Sequence, residues 1–465
     1  MPKQESILII GAGLCGSLLA LRLGQRGFNV RVIEMRPDLR KVDISAGRSI
    51  NLAFSNRGLK AIKMVGLESK VDSLCIPMHG RMIHDKEGNT FLSNYSGREN
   101  ESINSISREL LTALLLDEAE ALDNVTIEFN KRSTKVNFEA KIGCFEDTIT
   151  GEVFEVSADL IFGTDGAGSS LRKSYFEKRK FLFSFSQNYL THGYKELTIQ
   201  PTKSGEFKAF KNALHIWPRG DFMIIALPNL DGSFTVTLFL SYETGEYNFD
   251  NLTTPEIVIE FFRKEFPDAL DLMPNLAQEF FKNPTAPLGT VKCFPWHYKG
   301  NSLLLGDAAH AIVPFYGQGM NASFEDVVEF DRFLDLHDGN WEATFKAFES
   351  HRKIDTDAIA DLAIDNFHEM KNHVANPLFQ EKRKIEMALE AQFPELYFSK
   401  YSLVTFKETI GYNEAMTRGR AQDTAILKLL SAQKIVPNED LNTVLKKVQE
   451  ETGAILKENV GSKIV

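Results

Sequence analysis

At about 150 residues per domain, a chain of 465 residues implies two or three interlocked units and has room to bury a cofactor. Its 53 Lys and Arg against 63 Asp and Glu, a formal charge of −10 with the basic residues scattered, argue against a nucleic-acid partner. A composition of 43% hydrophobic and 25% charged residues excludes a disordered chain, no run reaches the ~18 apolar residues of a membrane helix, and Cys15, Cys75, Cys144 and Cys293 lie too far apart for a zinc ribbon or disulfide framework.

The first elements read strand, glycine turn, helix, strand: SILII, GAGLCG, SLLALRLGQRG, NVRVIE. Such a βαβ unit implies a parallel sheet. The run from Ile7 to Leu21 could pass for a signal-peptide core. Its three glycines, the following Arg22 and the lack of an A-x-A site argue against export, and the expected location is cytoplasmic. Gly11, Gly13 and Gly16 form a G-x-G-x-x-G between strand and helix. There the backbone can approach a pyrophosphate, whose charge then sits at the positive helix N-terminus. Glu34 closes the second strand about 20 residues on, where a carboxylate can take the hydroxyls of an adenosine ribose. A plain tight turn would not explain Glu34, but the motif does not separate NAD from FAD.

Short β-rich pieces from about 126 to 162 end in ADLIFGTDG, and GTDGAGSSLR (163–172) delivers Asp165 to a glycine turn ahead of Ser169 and Arg172. Asp165 reads equally as a helix cap or as a ligand group. From about 181 to 242 the pattern changes to hairpin strands: ALHIWP, a turn at RGD, FMIIALP, a turn at NLDGS, FTVTLFL. After Leu252 the chain turns helical, returns to a strand at NSLLLGD, and is helical from Asn321 onward. Asp307 ends that strand, and Gly317 and Gly319 allow close backbone approach before the next helix. The N–H groups of that helix suit a ring that becomes anionic on reduction. Apolar residues at 441, 444, 445, 448, 455 and 456 predict a helix packed on the domain. Three separated segments for one elongated ligand point to FAD rather than NAD.

GAGLCG with its acid, GTDGAGSSLR and GDAAHAIVPFYGQGMN resemble the three signatures of the single-component flavoprotein aromatic hydroxylases, which carry one FAD and take hydride from NAD(P)H. No second G-x-G-x-x-G follows, so NADPH would visit without a Rossmann domain of its own. GRSINLAFSNRG (47–58), GRMIH (80–84), HGYKEL (192–197), HIWPRGDFMIIALPNLDGSFTVTLFL (215–240), NFHEM (366–370) and YSLVTF (401–406) resemble the kynurenine 3-monooxygenase family. The resemblance implies an α/β fold with α+β elements: a Rossmann-like FAD-binding domain (1–180, with a substrate-site insertion near 75–105, and 291–376), interleaved with an antiparallel-sheet substrate domain (181–290). A C-terminal helical domain (377–465) follows as a wall or lid.

The implied reaction is hydroxylation of L-kynurenine to 3-hydroxykynurenine with NADPH and O₂ through a flavin C4a-hydroperoxide, in tryptophan degradation toward NAD. A homodimer is compatible with the chain, and no metal or membrane anchor is expected. The cofactor residues so implied are Gly11, Gly13, Cys15, Gly16, Glu34, Met35, Arg36, Ala53, Arg108, Asp165, Asp307, Gly319, Met320 and Asn321, with Met320 and Asn321 at the flavin ring. Arg81 and Tyr95 would hold the substrate carboxylate, with Asn366 and Tyr401 near the amino-acid end; from the residues alone Arg81 reads as a solvated surface arginine. Leu227, Phe239, Phe315 and Tyr316 would face the aromatic ring or serve as core, and Tyr316 replaces the histidine or phenylalanine of related chains. No obligatory acid or base is implied, because the substrate's amino group activates its own ring.

Two other readings stay open: a hydroxylase of the same fold acting on another aromatic acid, and a non-catalytic flavin-binding regulator. A flavin halogenase is disfavoured because only Trp217 and Pro218 of its W-x-W-x-I-P signature are present. His368 and His373 are five apart and do not share a helix face as zinc ligands would, and RGD at 219–221 reads as a turn.

Overall fold

Ile7, Leu8, Ile9 and Ile10 form a strand with no polar face, and all four are buried, as in a strand covered on both sides. In the computed structural model, which describes residues 5–42, 51–99, 101–372, 377–436 and 439–461, this strand is central to a six-stranded sheet. The order is His297–Tyr298, Ser302–Leu304, Leu160–Gly163, Ser6–Ile10, Asn29–Ile33, Val125–Glu128. Every pairing is parallel except the first. Helix Leu14–Gln25 returns the chain from the first strand to its neighbour and packs against helices Arg108–Glu120 and Gly319–Leu336. Residues 47–50 and His373 lie outside the described residues.

Contacts divide the chain into two compact units. One comprises Met1–Cys75, Ser105–Leu190 and Ala286–Ala360; the other comprises Ile76–Asn104, Thr191–Thr285 and Asp361–Val465. The segment expected as an insertion near 75–105 belongs to the second unit, as does the helical stretch from 377 onward.

In the second unit the last part of strand Ser184–Ile199 is followed across the sheet by Phe234–Ser241, Met223–Pro228, Ala213–Pro218, Gly80–His84 and Thr90–Asn94. The three hairpin strands fall where the turn signals place them. The sheet is not purely antiparallel, however: residues 213–216 pair in parallel with 80–83. Hairpin signals report only strands adjacent in sequence, so a partner from far upstream leaves no trace in them.

Alternation along these strands separates two faces. Leu197, Trp217, Ile224, Ala226, Val236 and Leu238 pack with Val258, Phe261, Phe262 and Phe280 of the helices that follow and with Phe266 between two of them. The registers Leu214 to Arg81, Ile216 to Ile225, Met223 to Phe239, and Leu227 to Thr235 put Arg81, Leu227 and Phe239 together on the other face. Helix Leu441–Gly461 buries Val444, Leu445 and Val448 in a core shared with Leu389, Ile426 and Leu429, the packed helix its spacing predicted. Among the described residues no helix is long and apolar enough to cross a membrane.

Leu238→Ala, in the filled face, is expected to cost about 2–5 kcal/mol. Leu92→Ala, on an exposed part of edge strand Thr90–Asn94, should stay within about 0.5 kcal/mol. Urea midpoints of the two variants measure the difference.

Candidate functional site

The parallel registers run Ile33 to Ile10, Ile10 to Gly163 and Gly163 to Leu304, so three strands and their neighbour stop on one line. The residues that leave them are Glu34, Gly11, Thr164 with Asp165, and Leu305 through Asp307. Backbone bonds carry the alignment past the strand ends: Gly11 N donates to Ile33 O at 2.8 Å, Thr164 N to Ile10 O at 2.9 Å, and Leu305 N to Gly163 O at 3.0 Å. All three sequence signatures therefore meet at the carboxyl edge of one sheet, where open α/β sheets bind ligands.

The three glycines of the first turn have different jobs. Gly11 has φ +99°, and a Cβ there would lie 2.8 Å from Asp165 Cα and from Thr164 O. At Gly16 a Cβ would lie 2.0 Å from Gly11 O. These two serve the packing of turn and helix. Gly13 is different: beyond its chain neighbours, a Cβ would meet nothing nearer than Arg36 Nη2 at 3.9 Å. It caps helix Leu14–Gln25 with no side-chain hydrogen bond and no acid in the first turn, so the helix N-terminus stays open to an anion.

Around this turn the carboxylates are partly committed. Glu34 Oε1 accepts from Arg36 N at 2.9 Å and Arg36 Nε at 2.7 Å; Oε2 accepts from Ala12 N at 2.7 Å. Burial works against this carboxylate, but the bonds and charge of Arg36 outweigh it and hold Glu34 below its usual range. One acceptor position on Oε2 is left for a hydroxyl. Asp165 Oδ2 caps the next helix through Ser170 N (2.6 Å) and Ser170 Oγ (2.8 Å), while buried Oδ1 has no hydrogen-bond partner. Both readings of Asp165 thus have an oxygen each. Burial pushes the carboxyls of Asp165 and Asp307 up, with Arg108 and His310 opposing the shift at Asp307. A polyol hydroxyl donating to either would relieve that cost. An open glycine cradle, an uncapped helix and an orphaned acceptor together fit an FAD.

The other implied cofactor residues are spread around the same unit. Met35 and Arg36 are exposed just after the second strand, and Arg108 opens helix Arg108–Glu120. Cys15 is buried with its thiol 3.7 Å from Ser323 O, and burial pushes that thiol well up, which makes it a packing group. Gly319 and Met320 begin helix Gly319–Leu336, which also lacks a side-chain cap. Asn321 holds the chain together: Nδ2 donates to Ala53 O (2.8 Å) and Gly317 O (2.9 Å), and Oδ1 accepts from Ser55 N (3.0 Å). Its amide is occupied by main chain, so what it can offer a flavin is its backbone. Phe315 and Tyr316 are buried in the turn before Gly317, whose φ of +67° requires glycine.

Sequence reasoning missed a buried charge network beneath this edge. Asp326 Oδ2 accepts from Gly306 N (3.0 Å) and meets His310 Nε2 at 2.5 Å; its Oδ1 accepts from Arg352 Nε at 2.9 Å. Glu325 binds Arg57 Nη1 at 2.8 Å and Arg352 Nη1 at 2.9 Å. Burial raises the cost of ionising Asp326, but His310 and Arg352 more than offset it and hold the carboxyl below its usual range. An adjacent Glu–Asp pair flanked directly by Phe324 and by Val327 and Val328 was the available signal.

The second unit gathers a different group. Arg81 lies on strand Gly80–His84, and its guanidinium carbon is 4.7 Å from the centroid of the Tyr401 ring and 5.8 Å from that of Tyr95. The two rings stack at 5.4 Å with planes 12° apart. Burial pushes both phenols up despite the opposing Arg81 charge, so both stay protonated donors. Leu227 and Phe239 are buried on the sheet face that carries Arg81. Asn366 is buried one residue before Phe367, whose ring meets that of His192 at 5.2 Å. On the back of the Arg81 strand, His84 bridges Asp268 Oδ2 (2.7 Å) and His215 Nδ1 (2.8 Å), and Trp217 Nε1 donates to the same Asp268 oxygen at 2.8 Å.

Residues 4–337 match the model of a family described as an FAD binding domain. Along nearly its full length the chain is similar to curated proteins named kynurenine 3-monooxygenase. It is 43% identical to the one from Myxococcus xanthus, over 98% of this chain and 97% of that one, and 42% identical to the one from Dictyostelium discoideum, over 95% and 96%. Among solved structures it resembles 2-methyl-3-hydroxypyridine-5-carboxylic acid oxygenase, with a TM-score of 0.65 at 21% identity over 85% of this chain and 99% of that one. It also resembles PqsL, a probable FAD-dependent monooxygenase from Pseudomonas aeruginosa, with a TM-score of 0.61 at 19% identity over 79% and 97%. The flavoprotein monooxygenase fold defines the class, and within it this chain belongs to the kynurenine 3-monooxygenase family.

Gly13→Ala is expected to leave the thermal midpoint of the FAD-free protein unchanged while weakening FAD at least about tenfold, measured by fluorescence titration. Gly16→Ala should instead lose stability with or without FAD. Because the Asp326 carboxyl is depressed in the folded state, its contribution is full above the unfolded value near ~4 and is lost as pH falls through the folded value. Urea midpoints between about pH 6 and 3 should therefore fall more steeply for the native chain than for Asp326→Asn.

Proposed function

We propose that the chain hydroxylates L-kynurenine at the ring carbon ortho to its amino group, using NADPH and O₂, in the cytoplasm. The observation that carries the substrate assignment is the Arg81, Tyr95 and Tyr401 group in the second unit. A guanidinium can grip a carboxylate with two charge-assisted bonds, and two protonated phenols beside it can donate to the same oxygens. Leu227 and Phe239, on the Arg81 face of the sheet, offer an apolar surface for the aromatic ring. Asn366 is assigned to the amino-acid end, and Phe315 and Tyr316 to the ring, on the strength of the sequence resemblance. The four free thiols support the cytoplasmic placement.

FAD, held at the carboxyl edge of the first unit's sheet, supplies the electron transfer from reduced nicotinamide and the activation of oxygen. The protein's own part is binding and exclusion. Gly13 and the open N-terminus of helix Leu14–Gln25 take the pyrophosphate; Glu34 Oε2, Asp165 Oδ1 and Asp307 take hydroxyls. The backbone at Gly319 and Met320, at a helix start without a side-chain cap, would face the ring. The substrate's amino group makes its own ring electron-rich, so holding the carboxylate end fixes which carbon is presented, and no protein acid or base is needed.

Arg81→Ala is expected to raise the KM for L-kynurenine at least about 100-fold and to abolish kynurenine-stimulated NADPH oxidation with FAD still bound; Tyr401→Phe should cost about tenfold. Anaerobic flavin reduction by NADPH, with and without L-kynurenine, measures the stimulation. Absence of acceleration in the native protein would overturn the substrate assignment.

A further inference from the structure

We propose that Glu390 is a positioning residue for the carboxylate grip: its buried carboxylate locks the segment bearing Tyr95 to the segment bearing Tyr401. The inference rests on reading Arg81, Tyr95 and Tyr401 as that grip. Glu390 lies on helix Pro377–Gln392 and is fully buried. Its Oε2 accepts from Gly97 N at 3.0 Å and its Oε1 from Ser399 N at 2.7 Å, with Arg98 Nη1 3.3 Å from Oε1. Gly97 is two residues past Tyr95 and Ser399 two before Tyr401, so each tether acts through a lever of about 7 Å or less. Ser399 also caps helix Lys400–Thr405 through Ser402 N, so the bond that fixes Ser399 sets the start of the helix that presents Tyr401.

Two further observations tie the Tyr95 segment to the same helix. A Cβ on Gly97 would lie 2.4 Å from Met387 O and 2.6 Å from Ala391 N, so backbone touches backbone there. Two turns before Glu390, Arg383 Nη2 donates at 2.8 Å to both Asn94 O and Tyr95 O. A carboxylate suits the junction because both of its oxygens accept. The isosteric amide would turn an N–H toward one of the two backbone donors and would lose the charge that faces Arg98. Tyr95 and Tyr401 stack with rings nearly parallel, so a shift of either segment moves both phenol donors relative to the arginine beside them.

The test uses FAD-loaded Glu390→Gln, Arg383→Met and, as reference, Arg81→Ala. Flavin fluorescence gives the Kd of L-kynurenine and of kynuramine, its analogue without the carboxylate. Glu390→Gln is expected to weaken L-kynurenine at least about fivefold and kynuramine less than about twofold, with KM rising more than kcat falls. Arg383→Met should show the same selectivity. Equal loss for both ligands, or no loss, while Arg81→Ala remains carboxylate-selective would overturn the role of Glu390 and leave the grip standing. An Arg81→Ala variant with no selectivity would overturn the grip and this inference with it. Should Glu390→Gln fail to hold FAD, Arg383→Met decides between the same outcomes.

Discussion

Parallel strands paired in register end side by side, and what the first unit offers a ligand follows from that constraint. Ile10, Ile33, Gly163 and Leu304 stop on one line, so segments separated by long stretches of chain open onto the same edge. Backbone N–H groups at two helix starts are left without a side-chain cap, which suits them to the anion and the ring that the proposed function assigns there. The glycines divide accordingly. Gly11 and Gly16 make room for the protein itself, while Gly13 leaves room that the protein does not use.

A second theme is the buried carboxylate used as a fastener between segments. Asp326 joins the loop after one strand to His310 and Arg352, and Glu390 joins two loops through their main-chain amides. Desolvation makes such groups poor sources of net stability, since a well-packed apolar side chain would serve as well or better. What they add is geometry: a carboxylate has few ways to satisfy several fixed donors, and each donor it satisfies is held in place. Both fasteners hold segments to which the proposed function assigns ligand groups.

Much of this was legible in the residues, for identifiable reasons. Glycine spacing and a change of period announce a strand, turn and helix, so the start of the chain could be read correctly, and ALHIWP, FMIIALP and FTVTLFL came out as strands because turn residues bound them. The parallel pairing of 80–83 with 213–216 was not legible, because pairing between distant segments leaves no local period. Arg81 looked like a surface residue until resemblance assigned it a role; its placement beside two stacked tyrosines depends on Tyr401, more than three hundred positions away. Asn321 was expected at the flavin, and only the folded chain reveals that its amide is used up on Ala53, Ser55 and Gly317. Asp165 divides its two oxygens between a cap and an open acceptor, a division no sequence pattern encodes.

The tether between Gly97 and Glu390 spans 293 positions of chain, and this sets a schedule for synthesis. At ~5–20 residues per second the Tyr95 segment waits roughly 15–60 s on the ribosome for its partner to be made. The strand Gly80–His84 likewise waits for 213–216 before it has a neighbour on that side. Throughout that interval Phe91 and Leu92, partly exposed even in the finished protein, lie on a strand without its sheet. These strands of the second unit therefore stay incompletely paired until late in synthesis, and the proposed carboxylate grip cannot close before Tyr401 has been made.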